Sequence, residues 1–210
     1  ERVNAIKERE FDKLIAIRDL KVNELNNWIT ERQADLKVIS EDMEIRNLEY
    51  YLVENKVNEL SNYQIKHANE LLTRYMDNFP SYQEIFIVNI ANGRIILSTD
   101  EKSIGLDKSN EEYFINAKTN QKSFIQDIRI SPLSKQPEMY FSNAIICMTH
   151  GEHNVGVLVA RINLYESLYK LLSNNTGLGK TGETLIINKD SLAVNDLNFY
   201  KDAPLNLKIT

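Results

Sequence analysis

The first 79 residues contain neither glycine nor proline, whereas the remaining 131 residues contain all seven glycines and all four prolines. Glycine adds backbone entropy and proline removes a hydrogen-bond donor, so both residues interrupt helices. A segment that lacks both can continue as a helix for many turns. This division predicts a helical arm with its packing helices over residues 1–79, followed by a compact, turn-rich domain.

Within the arm, mostly apolar residues recur at alternating steps of three and four, the period of a helix that packs along a partner. The positions with this spacing are Ile15, Arg18, Val22, Leu25, Ile29, Arg32, Leu36, Ile39 and Met43. A helix over residues 3–41 would be about 60 Å long at 1.5 Å per residue. We therefore predict a homodimer through this N-terminal helix, with Arg18 and Arg32 setting the register. One face of an all-helical bundle is the alternative reading of the period.

Composition excludes several classes of protein. The formal net charge is −5, and no dense Lys/Arg stripe with interleaved aromatic residues is present, which argues against a nucleic-acid partner. No apolar run approaches the roughly 20 residues needed to span a bilayer, and the N-terminus does not resemble a signal peptide. The chain begins within a helical pattern and without Met, so we expect membrane segments outside it. The single Cys147 lies in an apolar run, as expected of a buried small hydrophobe.

The periodicity changes after the arm. Residues 84–90 and 94–99 are rich in β-branched side chains and flank Asn92-Gly93, which predicts a hairpin with a type I′ turn. Further helices are predicted at residues 44–53, 56–79, 110–118 and 164–174. Further strands are predicted at residues 123–130, 139–148, 154–163 and 184–188. This order predicts an α+β fold in which a long helix precedes a PAS-like antiparallel sheet with helices on one side.

The same segments carry motifs that resemble the Cache sensor domains, above all the double-Cache type found outside the membrane in prokaryotic histidine kinases and chemoreceptors. The matching stretches are residues 28–32 (WITER) with Leu36, 86–96 (FIVNIANGRII), 112–114 (EYF) with Ala117, 156–158 (GVL), 179–184 (GKTGET) and 188–190 (NKD). They follow one another in order along nearly the whole chain.

The resemblance implies a domain organisation. In that family the long helix descends to a transmembrane segment, a membrane-distal PAS-like module binds a small ligand, and a second module follows near the membrane. Residues 80–176 would then form the membrane-distal sensing module. Residues 177–210 would form a linker and the start of a membrane-proximal module that is incomplete or degenerate.

A sensing pocket needs a curved sheet, a covering aromatic helix and a few polar groups directed inward. Alternation along the strands places two pairs of polar residues on inner faces, and two aromatic residues of the short helix would cover them. The candidate ligand-binding residues are Tyr113, Phe114, Asp127, Arg129, Tyr140 and Ser142. The alternative roles are a cross-strand or surface ion pair for Asp127 and Arg129, and plain core packing for Tyr113 and Phe114.

The ligand class is inferred from the resemblance and from the positions at which this sequence departs from the family's amino-acid-binding motif. The amino-acid-binding subset of the family has an arginine two positions before a Trp-Tyr pair and a carboxylate near the end of the later Gly-Val strand. Here those positions hold Glu111 and Arg161, and only Asp127 matches the subset. An inward Arg129 or Arg161 would instead favour a carboxylate-bearing or otherwise anionic small molecule.

Two other motifs are weaker. Residues 177–181 (GLGKT) end like a phosphate-binding loop, but Asn174 stands where that motif needs its first glycine, and a helix pattern precedes it where a strand is required. We expect a turn there. His150 and His153 with the intervening Glu152 could contact one metal ion, although a hairpin loop explains them better because a fourth ligand is lacking. We therefore predict no metal and no cofactor.

No nucleophile is paired with a base, so the chain is not expected to be an enzyme. The sequence predicts an extracytoplasmic small-molecule sensor domain of a membrane receptor, and favours a histidine kinase over a chemoreceptor. Ligand binding would be passed along the N-terminal helix. A coiled-coil spacer whose β domain binds protein and has no small-molecule ligand is the main alternative. A soluble enzyme that uses the glycine-rich segment is the third.

Overall fold

The computed structural model describes residues 2–54, 56–148 and 151–209. The chain forms two compact units, one drawn from the residues up to 31 and from 165 onwards, the other from residues 32–164. The domain boundaries expected after residues 79 and 176 fall inside these units. The long helix contributes its residues up to 31 to one unit and its last residues to the other.

The helices, in chain order, are α1 (Arg2–Glu41), α2 (Met43–Arg46), α3 (Glu49–Val53), α4 (Asn62–Asn78), α5 (Glu112–Asn120) and α6 (Leu168–Leu172). The long first helix is confirmed. The helix predicted over residues 44–53 is divided into α2 and α3, and the one predicted over 164–174 shortens to α6. The helix predicted from residue 56 begins only at residue 62. Ser61 caps it, because its Oγ accepts from the Gln64 backbone N–H (3.2 Å) while the Gln64 side chain accepts from the Ser61 N–H (3.1 Å).

The strands are β1 (Tyr82–Asn89), β2 (Ile95–Ser98), β3 (Phe124–Ile130), β4 (Pro137–Cys147) and β5 (His153–Ile162). They form one sheet in the order β2-β1-β5-β4-β3, and every neighbouring pair is antiparallel. The predicted antiparallel sheet and the α+β class are confirmed.

The strand predicted at residues 184–188 does not form within the described chain. Ile187 pairs with Ala193 through an isolated bridge only. Asparagine side chains take the backbone donors that a ladder would use, because Asn195 Oδ1 accepts from the Ile186 N–H (2.8 Å) and Asn188 Oδ1 from the Leu192 N–H (3.0 Å).

The hairpin between β1 and β2 is present, but its turn is longer than predicted. Gly93 has a positive φ of 67°, whereas Asn92 does not have the positive φ that a type I′ turn requires. The Gly93 N–H instead donates to the Asn89 carbonyl (2.9 Å), which closes a wider loop. Side chains stabilise it, since Asn89 Oδ1 accepts from the Ala91 N–H (2.9 Å) and Asn92 Oδ1 from the Arg94 N–H (3.0 Å).

Helices cover both faces of the sheet, not one face as predicted. Successive residues of β4 show this because they point to opposite faces. Ser142 Oγ donates to the Tyr113 carbonyl of α5 (2.9 Å), and the next residue, Asn143, donates through Nδ2 to Ser40 Oγ of α1 (2.8 Å). The α5 side carries a continuous apolar core: Phe86, Val88, Ile95, Tyr113, Phe114, Ala117, Tyr140, Val157 and Val159.

The α1 residues spaced at three- and four-residue steps, which were predicted to form the dimer contact and are here called the seam, divide into two groups at Arg32. Leu36 and Ile39 are fully buried in the core, and Arg32 is held inside its own unit. Its Nε donates to Asp35 Oδ2 and its Nη1 to Ser81 Oγ, both at 3.1 Å. Arg32 is therefore not available to set the register of a dimer, and that part of the prediction is wrong. Earlier seam residues such as Ile15 remain exposed.

Candidate functional site

A cavity of about 330 Å³ lies on the α5 side of the sheet, within residues 32–164. Its walls come from strands β1, β2, β3, β4 and β5, the start of α5 and the loops on either side. This volume is at the lower end of the range for small-molecule sites, roughly 300–1,000 Å³. The cavity can therefore hold a metabolite-sized ligand.

Three aromatic rings form the floor. Tyr113 and Tyr140 are tilted against each other with ring centroids 4.7 Å apart, and Phe86 meets the Tyr113 ring edge-on at 6.0 Å. All three are buried. Burial, reinforced by the nearby charges of Glu111 and Glu138, raises the pKa of both tyrosines. Both phenols thus stay neutral and keep their O–H groups as donors.

Arg129 is held by two carboxylates. Its Nε donates to Glu138 Oε1 (2.9 Å) and its Nη2 to Glu111 Oε2 (2.8 Å). The guanidinium carbon also lies 5.7 Å from the centroid of the Tyr140 ring, and the Tyr140 hydroxyl donates to Glu138 Oε2 (3.1 Å). The hydrogen-bonding capacity of Arg129 is largely used inside the protein, so this side chain braces α5 against β3 and β4.

Arg161, across the cavity on β5, has a different environment. Its nearest anionic partner is Glu84, whose Oε2 lies 3.6 Å from Arg161 Nη2, too far for a hydrogen bond. Glu84 is itself buried and accepts from Ser98 Oγ (2.9 Å) through its other oxygen. The Arg161 Nε is buried and has no hydrogen-bond partner in the described part of the chain. Arg161 therefore lines the cavity with a guanidinium that has no hydrogen-bond acceptor in the described part of the chain.

The structure brings together three of the six candidate residues at the cavity, namely Tyr113, Arg129 and Tyr140. Ser142 is fully buried behind Tyr113, and its hydroxyl donates to the Tyr113 carbonyl, which positions the start of α5. Phe114 is 2% exposed and belongs to the apolar core. These two residues support the cavity without lining it.

Asp127 is exposed and does not line the cavity, and its Oδ1 accepts from the Ile128 N–H (2.8 Å). The expectation that Asp127 and Arg129 share a strand face is wrong because β3 contains a bulge. Gln126 pairs with Tyr140 and Arg129 with Glu138, so three steps on β3 match two on β4. The extra residue shifts the alternation, and Gln126 takes the inner position instead of Asp127.

Sequence reasoning missed Glu84 and Glu138, two buried carboxylates at the cavity wall. A signal was present, because each is the only charged residue of its strand and lies near the strand's start. Such a residue is buried only when it is paired or binds something.

The metal alternative has no support in the described chain. His150 lies outside the described residues, and His153 Nδ1 lies 2.6 Å from the Gly151 carbonyl oxygen. Among the residues that are described, no group of three His, Cys, Asp or Glu side chains could hold one metal ion. No described helix is long and apolar enough to cross a membrane.

Several solved structures share this fold. The ligand-binding domain of the Pseudomonas aeruginosa amino acid chemoreceptor PctC, in complex with GABA, matches with a TM-score of 0.65 at 12% identity, covering 92% of this chain and 77% of that one. The Vibrio cholerae histidine kinase DctB sensor domain matches with a TM-score of 0.62 at 15% identity, covering 89% and 67%.

The ligand-binding domain of the Campylobacter jejuni chemoreceptor Tlp3, in complex with 4-methylisoleucine, matches with a TM-score of 0.58 at 17% identity. This match covers 74% of the present chain, which spans only 59% of the Tlp3 domain. No curated protein sequence is significantly similar to the chain. A family model described as Cache domain matches residues 21–203, which is most of the sequence. The chain therefore belongs to the Cache domain family, a family of sensor domains, and is not itself an enzyme.

Proposed function

We propose that this chain is the extracytoplasmic small-molecule sensor domain of a transmembrane signalling receptor, and that the cavity beside Tyr113 and Tyr140 is its ligand site. The observation that carries the proposal is the buried Arg161 Nε, which lacks an acceptor at the wall of a metabolite-sized cavity. An unsatisfied buried donor costs about 1–3 kcal/mol, which a ligand oxygen would recover. A β domain that binds only protein would have no need of this cavity.

The ligand of this site is a small molecule that bears a carboxylate. A guanidinium recognises carboxylates through paired N–H donors, and such charge-assisted bonds are stronger than neutral ones. Of the two arginines, Arg161 has donors to offer, whereas Arg129 would first have to leave Glu111 and Glu138. The ligand carboxylate therefore docks on Arg161, and Arg129 fixes the wall opposite.

Isothermal titration with a carboxylate panel tests this assignment. The panel contains propionate, succinate, 4-aminobutyrate and isoleucine, with propionamide as the uncharged analogue. At least one carboxylate should bind, and Arg161→Met should weaken that binding by roughly tenfold to a hundredfold, the equivalent of losing one or two hydrogen bonds to a charged group. Arg74→Met makes the same change on the exposed face of α4 and should leave the affinity unchanged.

Three results would count against the assignment. One is the absence of binding by every carboxylate in the panel. Another is equal affinity of a carboxylate for the wild-type chain and for Arg161→Met. The third is binding of propionamide as tightly as propionate, which would show that the guanidinium does not recognise charge.

The receptor is proposed to be a homodimer through the first part of α1. Large apolar side chains that share one face of the helix are exposed there, including Phe11 (65%), Ile15 (45%) and Val22 (48%). Exposed apolar residues on a helix are best satisfied by a second helix. Sedimentation velocity should show a concentration-dependent dimer, and Ile15→Glu should shift it towards monomer, whereas Asn4→Glu on the same helix should not. A chain that stays monomeric at every concentration would contradict this contact.

Signalling is proposed to run along α1, as a ligand-driven population shift between two helix arrangements. The attached transmitter is proposed to be a histidine kinase, in line with the DctB sensor domain among the structural neighbours. The coding sequence on either side of the chain tests both points. Hydrophobic spans next to α1 and a downstream kinase module are expected, and a chemoreceptor signalling helix in its place would overturn the kinase assignment.

A further inference from the structure

A second cavity, of about 280 Å³, lies within the other compact unit. Two residues that line this cavity, Tyr169 and Asn175, each carry a buried polar atom, Tyr169 Oη and Asn175 Oδ1, with no hydrogen-bond partner in the described part of the chain. Tyr169 is only 5% exposed. Each unsatisfied atom costs about 1–3 kcal/mol, so two beside one cavity indicate that something else supplies the missing bonds.

Both atoms can accept a hydrogen bond. Asn175 Oδ1 is an amide oxygen, and the Tyr169 hydroxyl can act as donor or acceptor. Burial, with smaller contributions from Asp196 and Tyr165, raises the pKa of Tyr169, so the phenol stays neutral. The partner that satisfies both is a group that carries several N–H donors.

The walls also suit a positive charge. The rings of Tyr165 and Tyr169 meet edge-on, with centroids 5.2 Å apart and an interplanar angle of 84°, which forms an aromatic corner. Aromatic faces attract cations through their quadrupole. Apolar side chains, Leu172 and Leu197, line other parts of the cavity. The corner therefore combines a cation-attracting surface with room for an alkyl group.

Carboxylates complete the lining. Glu183 Oε2 is already used, because it accepts from the Asn198 N–H (2.6 Å). The Asp196 carboxylate has no hydrogen bond or ion pair within the described chain. Burial and the neighbouring charge of Asp202 raise its pKa, so a bound cation would be favoured there. The lysine at this cavity, Lys170, is directed to solvent and lies 3.7 Å from Glu166.

We infer that this cavity is a second ligand site, which takes the ammonium group of a small primary amine. The ammonium N–H groups donate to Asn175 Oδ1 and Tyr169 Oη, Asp196 supplies the counter-charge, and the alkyl chain lies against Leu172. This site lies in a different unit from the Arg161 cavity and takes the opposite charge.

Titration of the ¹⁵N-labelled chain with n-butylammonium chloride, followed by NMR, tests the inference. Amide resonances of residues 169–175 and 196–198 should shift saturably, and neither 1-butanol nor sodium chloride should reproduce the shifts. Tyr169→Phe and Asp196→Asn should each weaken binding by about tenfold, as expected for one bond to a charged group. Arg161→Met, in the other cavity, should bind n-butylammonium as the wild type does.

Tyr169→Phe provides an internal check. Since its hydroxyl has no partner, removing it should leave the melting temperature of the ligand-free chain unchanged or higher. A clear fall would show that the hydroxyl is already bonded, and would overturn the inference. So would the absence of saturable shifts, shifts of equal size with 1-butanol, or an affinity that neither variant changes.

Discussion

Phe86→Ala should destabilise the sheet-containing unit by about 3–5 kcal/mol, the usual cost of removing a large buried aromatic side chain from a core. Phe86 is 1% exposed and lies on β1, an inner strand of the sheet, opposite Ser98 of β2 on one side and Val159 of β5 on the other. Its ring also contacts Tyr113. Hydrogen exchange of the β1 and β5 amides should become faster by roughly a hundredfold to several thousandfold, because their protection reports the stability of the unit.

The matched control is Phe199→Ala. Phe199 is 66% exposed, so its removal should change stability by less than about 0.5 kcal/mol. Since Phe86 also lines the cavity, Phe86→Ala should in addition lower the affinity for the carboxylate that the wild type binds. Exchange rates in β1 and β5 that differ less than about fivefold between wild type and Phe86→Ala would show that the core tolerates the gap.

Much of the fold could be predicted because it follows from local periodicity. The glycine-free arm and the five strands are encoded by residues close in sequence, and each predicted strand of the sheet is present. The predicted elements failed or started late where side chains hydrogen-bond the backbone groups that a strand or helix would use. Asn195 takes the Ile186 N–H of the strand predicted at residues 184–188, Asn188 takes the N–H of Leu192 just beyond it, and Ser61 delays the start of α4.

The site was predicted less well because it depends on register between distant segments. Tyr113 and Tyr140 could be found, since aromatic residues on a short helix and on an inner strand face follow from alternation. The bulge between Gln126 and Arg129 moved Asp127 to the opposite face of the sheet, and no local sequence pattern predicts this bulge. The sequence also cannot show that Arg129 is hydrogen-bonded to two carboxylates whereas Arg161 is not, because these carboxylates come from other strands and loops.

Gly93→Ala is the second change for which we expect a large effect. Gly93 has φ of 67°, and a methyl group there would lie 2.6 Å from Ser109 Cβ and 2.8 Å from Ser109 Cα. The left-handed backbone costs about 1–2 kcal/mol for an L residue, and overpacking against backbone adds typically about 1–3 kcal/mol. The contact cannot relax by a rotamer change, because the obstacle includes the main chain. The loop that carries Ser109 must move.

That movement reaches the cavity. The Gly93 carbonyl accepts from the Lys108 N–H (2.7 Å), and Lys108 lines the cavity. Gly93→Ala should therefore lower the free energy of unfolding by about 3 kcal/mol and speed exchange of the Lys108 amide. Gly105→Ala separates backbone strain from the clash, since Gly105 has φ of 84° with nothing within 4 Å of its added Cβ. It should cost about 1 kcal/mol. Equal losses in the two variants, measured by chemical denaturation, would mean that the approach of Ser109 does not constrain Gly93.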